Sequence, residues 1–471
     1  MATETVASSG VGFRSERGAI LGALMLATGL VALDSTIIAT AVLTITDTLG
    51  GFAQFPWLFS IYLLAQAVTV PIYGKLADTV GRKPVLMFGI AVFALGSLLC
   101  GLATSMLGLI IFRAVQGIGA GAIQPMTMTI ASDLYTLTER AKVQGYLASV
   151  WAMSSVAGPL LGGVFADYVS WRWIFLINLP LSAVAAWMLL RKFSESAPRR
   201  KQKVDYLGAA LLTVGAGALI LGLLEGGQAW AWNSPASLGI FGGGALLLVL
   251  FGLVERRATN PILPLWVFTR RVVIASSLVS VLVGAILVGL TSYVPTFTQG
   301  VLGTGALVAG LTVGALTLGW PIAASQAGKV YLRIGFRPTA LIGSGLATVG
   351  AVTTLLIAED STLWQIAGSC FVIGIGMGLV ATPTLIAAQT SADWSERGVV
   401  TSANMFARSI GSAVGVAVFG AIVNSRIGDT DHPLPSTLSS AVHLVFVTVA
   451  VMAAVMVLAS ACMPSRKTVI G

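Results

Sequence analysis

Apolar runs of about 20 residues recur along the whole chain, parted by short polar segments. Each is long enough to cross a hydrocarbon core of roughly 30 Å as a helix. Fourteen such spans are predicted, near 19–41, 55–74, 85–105, 108–130, 143–165, 173–190, 206–226, 236–254, 272–297, 305–325, 338–358, 363–388, 402–424 and 440–463. The stretch 272–328 holds no Asp, Glu, Lys or Arg, and it is divided at Pro295 to Gly305 because one helix of that length would overshoot the bilayer. Strands of a membrane barrel would alternate apolar and polar residues in segments of about 10, and these runs do not. The pattern therefore predicts an all-α polytopic membrane protein.

Composition agrees. Of 471 residues, 56% are hydrophobic, 10% are charged and 54 are glycine. A water-facing surface needs roughly 25% charged residues, so a soluble enzyme, a disordered regulator and a secreted disulfide scaffold are excluded. Cys100, Cys370 and Cys462 fall in spans, which argues against disulfides. His432 and His443 stand apart, and neither a metal-ligand cluster nor a nucleophile motif is present in the sequence, so no enzyme, metal or organic cofactor is expected.

The 27 Lys and Arg residues are placed unevenly. They crowd before span 1 (Arg14, Arg17) and after span 2 (Lys75, Arg82, Lys83), span 4 (Arg140, Lys142) and span 6 (Arg191 to Lys203). The same side gains Arg256 to Arg271 after span 8, Lys329 to Arg337 after span 10, Arg397 after span 12, and Arg466 with Lys467. Arg172 and Arg426 fall on the other side, and Arg113 and Arg408 lie inside spans. The positive-inside rule makes the crowded face cytoplasmic, with both termini there, in the cell membrane. Net charge +9 is thus a topology signal with some attraction to anionic membrane lipids, and nucleic acid is not an expected partner. The segment 1–17 has no cleavable signal pattern, so span 1 is expected to stay in the membrane.

Part of the chain repeats. Residues 74–84 (GKLADTVGRKP) and 328–338 (GKVYLRIGFRP) share Gly, Lys, Gly, a basic residue and Pro at a constant offset. A second echo joins Gly117-Ile118-Gly119-Ala120-Gly121 to Gly374-Ile375-Gly376-Met377-Gly378. Repetition over an even number of spans implies parallel halves with a substrate site between them near the midplane. The expected divisions are a tail 1–17, a six-helix bundle 18–195, an inserted pair of helices 196–257, a second bundle 258–464 and a tail 465–471.

These residues resemble a family. The 74–84 segment resembles the cytoplasmic signature of the major facilitator superfamily. Leu33-Asp34-Ser35-Thr36-Ile37, Arg113-Ala114-Val115-Gln116-Gly117 and Gly158-Pro159-Leu160-Leu161-Gly162-Gly163 resemble the span 1, span 4 and span 5 elements of its fourteen-span drug:proton antiporters. Trp171 to Pro180 is similar to the start of their span 6. Two positions depart: Leu43 stands where the family usually has Pro, and Leu332 where the first loop copy has Asp78. The resemblance implies a monomeric multidrug exporter working by alternating access, with the proton as coupling ion.

Candidate chemistry is sparse. Asp34 is an acidic side chain well inside a span, where a charge costs roughly 2.5–3.5 kcal/mol and is usually functional. Counting residues from the span ends puts Asp34 and Arg113 both about 7–8 Å below the outer edge of the core, a matched pair that reads as a proton-coupling switch or, alternatively, as a permanent structural ion pair. Trp57, Tyr62, Gln66, Gln116, Gln124, Trp151, Tyr293 and Phe297 are candidates for an apolar pocket with few polar anchors. Arg408, with Asn404 one turn before it, reads either as a gate or anion-tolerant contact, or as a residue reaching back to the cytoplasmic interface. Gly74, Asp78, Gly81, Arg82 and Asp133 are expected to form a latch between the halves. Gly158, Pro159 and Gly162 are expected to serve close helix approach or a hinge. One carboxylate neutralises one cationic centre, so neutral or monocationic lipophilic cargo is expected, with Glu225 the residue that would widen this. A lipid or endogenous-metabolite exporter is the first alternative, and a membrane-embedded enzyme or structural subunit the second.

Overall fold

The computed structural model describes residues 11–38, 41–50, 56–195, 205–227, 230–258, 261, 263–427 and 434–464. Its helices are α1 (Gly18–Ile37), α2 (Val42–Leu49), α3 (Pro56–Val80), α4 (Arg82–Gly101), α5 (Met106–Leu134), α6 (Leu137–Val164), α7 (Trp173–Leu176) and α8 (Asn178–Lys192). They continue as α9 (Tyr206–Glu225), α10 (Pro235–Glu255), α11 (Arg271–Gly300), α12 (Ala306–Ile334), α13 (Phe336–Thr354), α14 (Leu363–Thr390), α15 (Arg397–Ile427) and α16 (Pro435–Ala461).

Every one of the fourteen predicted runs folds as helix, the sixth as α7 and α8 together. Among the described residues, 12 helices are long and apolar enough to cross a membrane. The other two runs are α9, apolar over only Leu207–Leu223, and α13, whose apolarity is diluted by Arg337 and a series of Ser and Thr. The chain is a multi-pass membrane protein. Two boundaries move: span 1 ends at Ile37 and is followed by α2, and α11 runs on past Pro295 so that the chain breaks at Val301–Gly305.

The 74–84 segment, read as a loop, is mostly helical. It comprises the end of α3, Gly81 at φ +106°, and the first turn of α4. Gly335 at φ +97° makes the same corner between α12 and α13. A side chain is strained in that left-handed region, which explains why glycine stands at both corners.

The glycine echo has a packing cause. A Cβ at Gly117 or Gly121 would lie 2.5 or 2.2 Å from Tyr62 and Thr69 of α3, and one at Gly119 2.3 Å from Phe93 of α4. In the second half, Gly374 and Gly378 meet Leu316 and Trp320 of α12 at 2.2 and 2.4 Å, and Gly376 meets Ala347 of α13 at 2.4 Å. Alternating glycines thus wedge α5 between α3 and α4, and α14 between α12 and α13. Two seams join the halves: α3 packs on α15, and α6 on α12. Helix α9 lies against both α3 and α15, where Ala67, Val68, Ile220 and Ala413 form an apolar cluster.

Candidate functional site

Two polar assemblies sit in this apolar frame. The first is intramembrane. Helix α5 presents Arg113 and Gln116, three residues apart and so on one face, toward Asp34 of α1. Arg113 Nη1 donates to Asp34 Oδ2 at 2.6 Å, and Gln116 Nε2 to Asp34 Oδ1 at 2.8 Å. Asn178, at the start of α8, adds a third donor to Oδ1 at 3.2 Å. Arg113 also donates to Gln116 Oε1 at 2.7 Å and to the Leu58 carbonyl at 3.1 Å, and its guanidinium lies 4.1 Å over the Tyr62 ring. Ser97 of α4 accepts from Gln116 at 2.7 Å. Asp34 and Arg113 are each 1% exposed, so a charged pair is held out of solvent and satisfied by neutral amides on both sides.

The matched depths of Asp34 and Arg113 end in contact. Gln116 and Tyr62, considered for a pocket wall, are instead built into this buried assembly. Asn178 and Ser97 complete it and were not singled out in the sequence. The remaining pocket candidates scatter. Gln66 bonds Gln124 at 3.3 Å between α3 and α5, both half-buried. Half-buried Trp151 packs on the core of the first half, and Trp57 is half-buried at the start of α3. Tyr293 meets Phe419 edge-on, and Phe297 is buried against Phe446. Asn404 faces α11, where its amide bonds Ser276 at 2.7 Å and accepts from Ser280 at 2.8 Å. Gly158 brings α6 onto α1: its Cβ would lie 2.1 Å from Thr36 Oγ1, which itself donates to the Ser154 carbonyl at 2.9 Å. Gly162 is buried in α6, and the side chain of Pro159 lies outside the described residues.

The second assembly closes the α3/α15 seam at the end where the basic residues crowd. Asp78 accepts from the backbone N–H groups of Gly398 and Val399 at 3.1 and 2.9 Å, placing a carboxylate on the positive end of α15. Arg82 pairs with Asp78 at 2.8 Å and Asp133 at 3.1 Å, and donates to the Trp394 carbonyl at 2.5 Å with that indole 3.6 Å beneath it. Arg397 reaches Asp133 at 3.1 Å from the other half. Gly74 permits the approach, since a Cβ there would sit 2.2 Å from Ser402 Oγ. The five latch candidates therefore converge, while Trp394, Arg397 and Glu195 join them unannounced by the sequence. Glu195 accepts from the N–H groups of Arg82 and Lys83 at 2.7 and 3.0 Å, capping α4. Glu195→Gln is expected to weaken that charge–dipole contact by about 1 kcal/mol, seen as faster hydrogen exchange in the first turn of α4 with the fold retained.

The second loop copy does not reproduce the clasp. Leu332 has no carboxylate to cap α6, whose first turn is closed by its own Thr136 and Glu139 in a capping box. The Tyr331 hydroxyl reaches the Leu137 carbonyl instead, and Arg140 bonds Thr390 at 3.3 Å. On the opposite face an open groove of about 800 Å³ lies between the ends of α13 and α16, lined by Glu359, Asp360, Arg426 and His443 among others. It shares no residue with either assembly.

With membrane-length helices in two halves, a charged pair buried inside one and a clasp across a seam, the chain falls by its family and relatives among transporters and not enzymes. The chain belongs to the major facilitator superfamily, whose family model, described as Major Facilitator Superfamily, matches residues 24–416. It is 35% identical over 426 residues to the multidrug transporter protein MdtP of Bacillus subtilis (strain 168), covering 90% of this chain and 79% of that one. It is 36% identical over 405 residues to multidrug resistance protein 3 of the same strain, covering 86% and 78%. The crystal structure of the human organic anion transporter MFSD10 (TETRAN) shares the fold, with TM-score 0.67, 14% identity, and coverage of 94% of this chain and 99% of that one.

Proposed function

We propose that this chain is a proton-coupled exporter of lipophilic small molecules, drugs among them, that works by alternating access in a cell membrane with its basic face cytoplasmic. The Asp34–Arg113 network carries the reading. A carboxylate that accepts from the Arg113 guanidinium and from the amides of Gln116 and Asn178 loses its main attraction on protonation, and the freed Arg113 must then find other partners. Proton loading thereby becomes a change in helix contact between α1 and α5.

The clasp supports a definite place in the cycle. With the α3/α15 seam shut on the basic face, we assign this conformation to the part of the cycle closed to the cytoplasm, the part in which cargo would leave on the other side. The relatives' names, a multidrug transporter and a multidrug resistance protein, support the drug class. Neutral cargo needs no counter-charge. A monocation can compete with Arg113 for Asp34, whereas a dication would lack a second carboxylate there. An entering proton yields about 2.3 kcal/mol per 100 mV, enough for a roughly 50-fold cargo gradient if each exchange moves one net charge.

A proteoliposome screen tests this: substrate-dependent proton flux is followed across cationic dyes, neutral drugs and lipids under an imposed pH gradient. Drug-dependent proton movement is expected. Drug transport indifferent to collapse of the gradient would sink the proposal.

A further inference from the structure

The second half carries an interior charge for which the described residues supply no counter-charge. Arg408 lies roughly 16 Å along α15 at 1.5 Å per residue, inside the predicted span 402–424. No Asp or Glu occurs between residues 271 and 358. None of the ion pairs among the described residues involves Arg408, and its buried Nε has no acceptor. Asp34 cannot serve it, being bound by Arg113, Gln116 and Asn178.

The Arg408 side chain reaches toward α12. Its guanidinium carbon lies 5.7 Å from the ring centroid of Trp320, at the middle of α12. Helices α12 and α15 are not packed on each other, yet each carries one inter-half seam, α12 against α6 and α15 against α3. A contact from one to the other therefore crosses the face that the second half turns toward the first. The half-buried Gln66–Gln124 pair belongs to the opposing bundle.

Buried charges are paired, and where the described residues supply no partner a ligand of opposite charge can. A guanidinium offers a planar fork that matches a carboxylate or sulfonate, and an indole beside it offers a face for an attached ring. We propose that Arg408 and Trp320 form a subsite for the anionic head of the cargo, so that this protein also takes amphipathic aromatic monoanions. The inference rests on the exporter reading and extends its substrate class to the opposite sign, on the opposite half of the cleft from Asp34.

Three probes sharing one ring system test it: pyrenebutyrate, its methyl ester and a pyrene trimethylammonium analogue, titrated into the full chain in nanodiscs. The carboxylate is expected to bind wild type at least about tenfold more tightly than the ester. Arg408→Gln should erase that difference while leaving ester and ammonium binding within about twofold, and Arg408→Lys should restore part of it. Trp320→Leu should weaken carboxylate and ester together. Equal affinity of wild type for carboxylate and ester overturns the subsite, as does an equal loss of all three probes in Arg408→Gln. Displacement of the carboxylate by saturating chloride would assign the site to an inorganic anion and also overturn it. The same proteins in proteoliposomes separate the two readings. Carboxylate-selective binding without pH-driven flux sinks the exporter and keeps the subsite; driven flux without charge selectivity does the reverse.

Discussion

Asp34→Asn is expected to insert and fold yet to lose transport driven by an imposed pH gradient, down to the level of empty liposomes. Asparagine keeps the shape and an acceptor oxygen for Gln116 and Asn178, but it cannot exchange a proton and carries no charge for Arg113. Arg113 would then be a buried cation, 1% exposed, facing neutral groups alone. Breaking a buried pair in this way costs about 3–5 kcal/mol, so a lower Tm in detergent should accompany the lost coupling. Pairing it with Arg113→Gln removes the stranded charge and should recover much of the stability without recovering coupling. That split separates a coupling residue from a structural ion pair. Full pH-driven transport by Asp34→Asn would refute the coupling role.

Arg82→Gln is expected to shift the conformational equilibrium. Arg82 holds Asp78 and Asp133 together and also binds the Trp394 carbonyl, so its loss leaves two carboxylates facing each other at the closed seam. Of these contacts the Trp394 carbonyl and indole lie across the seam, so a charged hydrogen bond worth about 1.5–3 kcal/mol is lost from the closed state alone, a shift of roughly 10- to 100-fold toward the state open on that face. Ser402→Cys reports it, because Ser402 is buried against Gly74 while the seam is shut. Maleimide labelling from the basic face should rise steeply in the Arg82→Gln background. Gly74→Leu should raise labelling too by wedging the seam, with every charge left in place. Unchanged labelling in both would mean that the clasp does not hold the closed state.

The spans were legible because hydrocarbon tolerates so few sequences: apolar length alone places helix at all fourteen runs. Asp34 and Arg113 were legible for the converse reason, since a charge inside a span stands out and two at equal depth invite pairing. Asn178 and Ser97 were not. A neutral amide or hydroxyl is common enough in membrane helices that its position acquires meaning only when neighbours converge on it. The partners of Asp78 were hidden more deeply, because they are backbone N–H groups of Gly398 and Val399 and have no side-chain signature. Glu195 was one charge among many in a polar insert, and its role as a cap depends on where α8 ends. The 74–84 segment misled in the ordinary way: its polar residues suggested a loop, while its backbone is helical up to one left-handed glycine.

Helix α9 leaves the two flanks of the molecule unlike. Two bundles related by an approximate twofold would present equivalent gaps to the surrounding lipid, one along each seam. Here the α3/α15 flank is roofed by α9, with α10 behind it, and among the described residues no helix packs across the α6/α12 flank in the same way. The two seams therefore meet the surrounding lipid differently, one behind a helical screen and one directly, an asymmetry that neither bundle possesses alone.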